Sequence, residues 1–129
     1  MLINRWLDFD TQPEPAWLKT GLVYMASPYS DPDPAVMHER FAAACRNAAR
    51  FMRLGVKLFS PIAHFHPIAQ FGLPKNWAFW QEYDRVILGH CDGMLVLLLP
   101  GVEDSKSLAA EIAIAKQMGM PILAVAPEK

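Results

Sequence analysis

Gly93-Met94-Leu95-Val96-Leu97-Leu98-Leu99, closed by Pro100-Gly101, is the stretch that decides the fold. It carries no polar side chain, so both of its faces must be covered. A strand buried on both faces is the central strand of a parallel sheet with helices packed above and below. The Met94–Leu99 run is the longest apolar stretch in the chain and falls far short of the ~20 residues that a membrane-crossing helix needs.

Working outward from this strand, the same alternation repeats. Downstream, Ser105 opens a helix that stops at Gly119, and Pro121 to Ala126 forms the last strand. Upstream, Asn76 caps a helix running to about His90. Val56-Lys57-Leu58-Phe59 is a strand broken by Ser60-Pro61, and the segment Ile62 to Lys75 reads as loop with at most a short helical turn. Earlier still, Leu22 to Ala26 is a buried strand. Asp33 caps a following helix with Pro34 at its first position, and Gly55 stops it. In that helix Phe41, Cys45, Ala48 and Met52 recur at helical spacing.

Strands alternating with amphipathic helices imply right-handed crossovers and a parallel sheet. The expected fold is α/β, a three-layer doubly wound (flavodoxin-like) sheet of four to five mostly parallel strands over residues 21–129. Residues 1–20 form an N-terminal arm in which a fifth strand would lie. Its tryptophans, Trp6 and Trp17, flank the stretch TQPEPAW and suit packing on the domain or on a neighbouring subunit.

Composition narrows the function classes. The chain has 129 residues, 53% hydrophobic and 19% charged, with a formal net charge of -1. That balance suits a globular domain and gives no bulk attraction to nucleic acid or an anionic membrane. Cys45 and Cys91 have no metal-ligand spacing and read as small hydrophobes in a reducing compartment. MLINRWLDFD contains acids and no sustained apolar run, unlike a secretory leader. The expected location is cytoplasmic.

In open sheets of this kind, ligands sit beyond the carboxyl ends of the strands. The loops after Ala26, Phe59 and Leu99 share that edge, which makes Ser27, His64 and His66 candidate substrate contacts. Glu111 lies one to two turns into the helix after the central strand, on one face with Ser107 and Ala115 and beside the apolar stripe. A carboxylate there can reach the site edge, or it can simply be solvated. Asp84 falls on the face of Trp80, Ile87 and Cys91, inside an apolar stripe. Burial would raise its pKa and suit it to proton donation; a structural aspartate bonded to a cap or an arginine is the alternative.

His64 and His66 would point the same way in an extended segment. They suit a polar pocket lining, and with a carboxylate they are also a candidate metal pair lacking a clear third ligand, although His90 and Cys91 are present. Trp77, Phe79, Trp80 and Tyr83 cluster at one helix start, where they pack the core or stack on a flat base. Ser105 and Ser107 stand at a helix N-terminus, suited to an anion or, for Ser105, to a plain cap. No GxGxxG, Walker loop or Gly-x-Ser-x-Gly elbow occurs.

Taken together these pieces resemble the nucleoside 2-deoxyribosyltransferase superfamily, which includes the 2′-deoxynucleoside 5′-phosphate N-hydrolases and an uncharacterised bacterial branch. The resemblance covers about Val23 to Val125. It rests on Val23-Tyr24, on Asp84 eight residues before Asp92, on Cys91-Asp92-Gly93-Met94-Leu95-Val96, and on Ser105 to Glu111 followed by Ala113, Ala115, Gly119 and Pro121. It implies that Glu111 attacks the anomeric carbon, that Asp84 assists departure of the base, and that Tyr24 positions the nucleophile or sugar. It puts Ser105 where relatives acting on nucleoside monophosphates carry a hydroxyl facing the 5′-phosphate, with Arg40 and Lys106 nearby. The proline-rich loop Ser27 to Pro32 departs from the glycine-bearing loop of the nucleotide hydrolases, Ser107 stands where glycine is common, and His64-Phe65-His66 matches the uncharacterised branch.

The expectation is an N-glycosidase or deoxyribosyltransferase acting on a nucleoside or nucleoside 5′-monophosphate. The catalytic residues are Glu111, Asp84 and Tyr24. Substrate contacts come from Ser27, His64, His66, Trp80, Asp92, Ser105 and Ser107. No metal or other cofactor is expected, and the partners are the small molecule itself and further copies of the chain. The alternatives are a nucleotide-binding or sensing module without turnover, and a metal-dependent hydrolase using His64 and His66.

Overall fold

The computed structural model describes residues 15–128. Trp6, most of the arm and any strand within its first fourteen residues lie outside the described residues. The part that is described forms a short helix, α1 (Trp17–Thr20), whose Leu18 is fully buried.

Among the described residues, four strands build one sheet in the order β2-β1-β3-β4, all parallel: β1 (Leu22–Ala26), β2 (Lys57–Phe59), β3 (Gly93–Leu97) and β4 (Ile122–Val125). Val23 pairs with Gly93 and Ala26 with Val96, so β1 and β3 run together at the centre. All five residues of β3 are buried, as its apolar sequence demands. The strand ends at Leu97, two residues before its apolar run does; Leu99 is buried but lies in the loop beyond.

The side-chain alternation of β1 divides the core. Val23 and Met25 pack against α2 (Pro34–Arg53), while Tyr24 and Ala26 face the opposite layer of α4 (Trp77–Leu88) and α5 (Lys106–Gln117). The result is the expected three-layer, doubly wound fold. The α2 helix starts where Asp33 accepts a bond from the Ala35 N–H at 2.9 Å, with Pro34 at the first position. It ends before Gly55, whose φ of +89° is left-handed.

Two expectations need correcting. The buried face of α2 runs through Met37, Ala44, Ala48 and Phe51, whereas Met52 is 54% exposed. The helix is rotated about one residue from the stripe read in the sequence. The segment read as loop is a nine-residue helix, α3 (Pro61–Ala69), capped by Ser60 Oγ on the Ala63 N–H at 3.2 Å. Pro67 obscures it: lacking an N–H, it cannot bond to the Ala63 carbonyl, yet it falls in the last turn, where one missing bond is tolerated.

The switch point of the sheet lies between β1 and β3, since the chain leaves β1 for β2 on one side while β3 lies on the other. A crevice therefore opens beyond the ends of these two strands. Among the described residues no helix is long and apolar enough to cross a membrane.

Candidate active site

A pocket of about 670 Å³, counted out to its open mouth, occupies that crevice. Its floor comes from the end of β1, one wall from α3 and α4, and the other from α5. Asp84 and Glu111 both line it. They are 27 residues apart in sequence and sit on adjacent helices of one layer.

Glu111 is 6% exposed and reaches the sheet, where Tyr24 Oη donates to its Oε2 at 2.5 Å. Tyr24, in the middle of β1, is itself fully buried. Its pKa is raised well above the usual 10.0, by burial first and by the Glu111 and Asp84 charges next. The phenol thus stays protonated and can only donate toward a carboxylate. Asp84 is pushed up to about 6 by burial, with the Tyr24 hydroxyl drawing it partly back. Glu111 is raised well above 4.5, by burial and then by the Asp84 charge, against the opposing Tyr24 hydrogen bond. Two buried, coupled carboxylates are costly to charge together, so ionisation of one opposes ionisation of the other.

Among the described residues, two buried side-chain polar atoms lack a hydrogen-bond partner: Asp84 Oδ1 and Ser27 Oγ. Both residues line the pocket. An unpaired buried polar atom costs free energy, and at a pocket wall it is the natural place for a ligand to bond.

The aromatic wall is made by Phe65, Trp77 and Trp80. Trp80 is held in place by donating from Nε1 to the Pro74 carbonyl at 2.8 Å, and the Phe65 and Trp80 ring centres are 4.9 Å apart. At the rim, Tyr29 Oη and His66 Nδ1 are 2.5 Å apart, and His66 stacks on Phe41 with ring centres 4.5 Å apart. Burial lowers the His66 pKa, aided by His38 and Lys75, which favours the neutral imidazole.

Helix α3 separates the two histidines. His66 lines the pocket; His64 lies two residues back, about 200° around the helix, against Phe59 and Phe65. Their expected common direction depended on an extended segment, and His64 does not line the pocket. Among the described residues, no group of three His, Cys, Asp or Glu side chains is placed to hold a metal ion.

Asp92 also departs from expectation. It precedes β3, at the amino edge of the sheet, where its Oδ2 accepts from the Leu22 N–H at 2.9 Å. Gly21 is required there, because a Cβ would sit 2.6 Å from that same oxygen. Asp92 is a clasp between strand starts, far from the crevice. Ser105 caps α5, accepting from the Leu108 N–H at 3.2 Å, and does not line the pocket; Ser107, 3.5 Å away between hydroxyls, does. Arg40 is committed elsewhere: it donates to the carbonyls of Tyr29, Ser30 and Pro100, tying the loop after β1 to the loop after β3.

The model of a protein family described as a domain of unknown function, DUF1937, matches residues 21–126. The chain belongs to that family. The DUF1937 match starts at the glycine before β1 and ends just after β4, so it takes in every strand and every pocket residue named above. Among curated proteins, no match to the chain was found.

Sequence reasoning missed Phe65, Tyr29 and Lys75 as pocket residues of this DUF1937 domain. The signal for the first was present. Ile62, Phe65, His66 and Ala69 follow the i, i+3, i+4, i+7 rule, and all four line the pocket. Tyr29 and Lys75 sit in loops, whose course no periodicity reveals. The thiols of Cys45 and Cys91 are free and only partly buried.

Proposed function

We propose that this protein cleaves the N-glycosidic bond of a nucleoside or nucleoside 5′-monophosphate, passing the sugar to water or to a second base. The observation that carries the reading is the buried Tyr24–Glu111–Asp84 cluster at one end of a pocket walled by aromatic rings. Breaking such a bond develops positive charge on the sugar and negative charge on the base. A carboxylate must face the first and a proton donor the second.

In this scheme the substrate base lies against Trp80 and Phe65, and the anomeric carbon faces Glu111. The developing cation holds Glu111 in its charged form, and the proton for the base resides on Asp84. Glu111 attacks the anomeric carbon as the carbon–nitrogen bond breaks. The bond pair leaves with the base, which takes the proton of Asp84. Water or an acceptor base then attacks the glycosyl ester, Asp84 takes the released proton, and the Glu111 carboxylate is restored. Tyr24 orients the carboxylate in both steps. The two-carboxylate geometry of retaining glycosidases is extended here to a nitrogen leaving group.

The test is to incubate the protein with purine and pyrimidine nucleosides and their 5′-monophosphates and to follow free base by chromatography. Base release that disappears in Glu111→Ala supports the reading. Tight binding without release from any substrate would make the domain a nucleotide-binding module instead, and unchanged release in Glu111→Ala would remove the nucleophile.

A further inference from the structure

Ser27 directly follows β1, three residues beyond Tyr24, and is 3% exposed. Its hydroxyl has no hydrogen-bond partner, although it lines the pocket. A serine at a strand end usually caps a helix or bonds into a turn. Here the helix after β1 is capped by Asp33 instead, and the loop is tied by Arg40 through the Tyr29 and Ser30 carbonyls. The Ser27 hydroxyl contributes nothing that the fold uses, and burying it unpaired destabilises the ligand-free protein.

We infer that Ser27 is a specificity residue that bonds a ring hydroxyl of the substrate's sugar. The inference rests on the proposed function and deepens it. The position just past β1 selects the sugar over the base. Tyr24, on the strand that leads to Ser27, holds the carboxylate that faces the anomeric carbon, and three extended residues span roughly 10 Å. With the Tyr24 side chain occupying part of that length, a furanose ring fills the interval between Glu111 and the strand end. In the proposed scheme the base lies against the rings of α3 and α4, which leaves the sugar for the strand end. A hydroxyl that is both donor and acceptor is matched by a sugar hydroxyl, which is likewise both.

This arrangement has a signature that a structural serine lacks. Replacing Ser27 by alanine removes an unpaired buried group, so the ligand-free protein keeps or gains thermal stability. At the same time the variant loses discrimination among sugars, because a site built around a hydroxyl penalises the analogue without it.

The experiment measures binding of adenosine, 2′-deoxyadenosine and 2′,3′-dideoxyadenosine, and their 5′-monophosphates, to the Glu111→Gln protein with and without Ser27→Ala. Melting temperatures of the ligand-free proteins are recorded alongside. With Ser27 present, loss of one ring hydroxyl is expected to weaken binding about tenfold or more. With alanine there, the same loss changes binding by less than about threefold, and the melting temperature does not fall. Equal discrimination in both proteins, or a melting temperature lowered by Ser27→Ala, overturns the inference and leaves the proposed function standing. Failure of every one of these compounds to bind overturns the inference, and the proposed function falls with it only if no purine or pyrimidine substrate releases base.

Discussion

The hydroxyl of Tyr24 meets Oε2 of Glu111 across 2.5 Å, joining the middle of β1 to the second turn of α5. The contact depends on sheet parity: Tyr24 and Ala26 point toward the α4–α5 layer, whereas Val23 and Met25 point toward α2. The bond stabilises the charged carboxylate and opposes the burial that raises its pKa.

Tyr24→Phe keeps the ring and removes the donor. Glu111 then loses the one interaction that lowers its pKa, so its titration moves to higher pH. We expect the acidic limb of the rate profile to shift upward and the turnover rate to fall about ten- to a hundredfold. A rate profile against pH from 4.5 to 9 checks this. An unmoved limb would separate Tyr24 from the chemistry.

Asp84→Asn should lose base release while stabilising the fold at neutral pH. The folded pKa of Asp84 is raised from 3.8 to about 6, so the folded state holds more protons than the unfolded state in that window. Stability is therefore greatest below the lower value and declines as pH rises through the upper one. A shift of this size corresponds to at most about 3 kcal/mol. Urea unfolding at pH 4.5 and pH 7.5 should show Asp84→Asn gaining up to that amount at the higher pH and distinctly less at the lower.

His66→Ala and His64→Ala distinguish the two faces of α3. His66 lines the pocket and is paired with Tyr29, so its loss should weaken nucleotide binding about tenfold. His64 packs outside the pocket, and its loss should leave binding within about twofold. Titration calorimetry on both variants reads the difference, and similar losses in the two would contradict the geometry.

Arg40→Met should loosen the loops after β1 and β3 together, because one guanidinium donates to carbonyls of both. Charge-assisted bonds of this kind contribute about 1.5–3 kcal/mol when well formed and less where solvent competes. We expect a loss of about 1–2 kcal/mol in denaturant unfolding. Gly101→Ala should mimic it: its φ is +97°, and an added Cβ would collide with Nη2 of Arg40.

Periodicity and strand composition were enough to read the alternating elements, the central place of β3 and the caps at Asp33, Asn76 and Ser105, because each depends on neighbours within one turn or one strand. The fold class followed, since an all-apolar strand between amphipathic helices has few other solutions. Glu111 and Asp84 were also legible, one as an acid beside an apolar stripe and the other as an acid inside one. That they share one pocket, with Tyr24 between, was decided only by the packing of α4 and α5 against the same sheet face. Tertiary structure likewise separated His64 from His66, carried Asp92 to the opposite edge and left Ser27 unpaired beside the cavity. Those outcomes depend on helix rotation, strand parity and the course of loops, where contacts between residues far apart in the chain outweigh local preference.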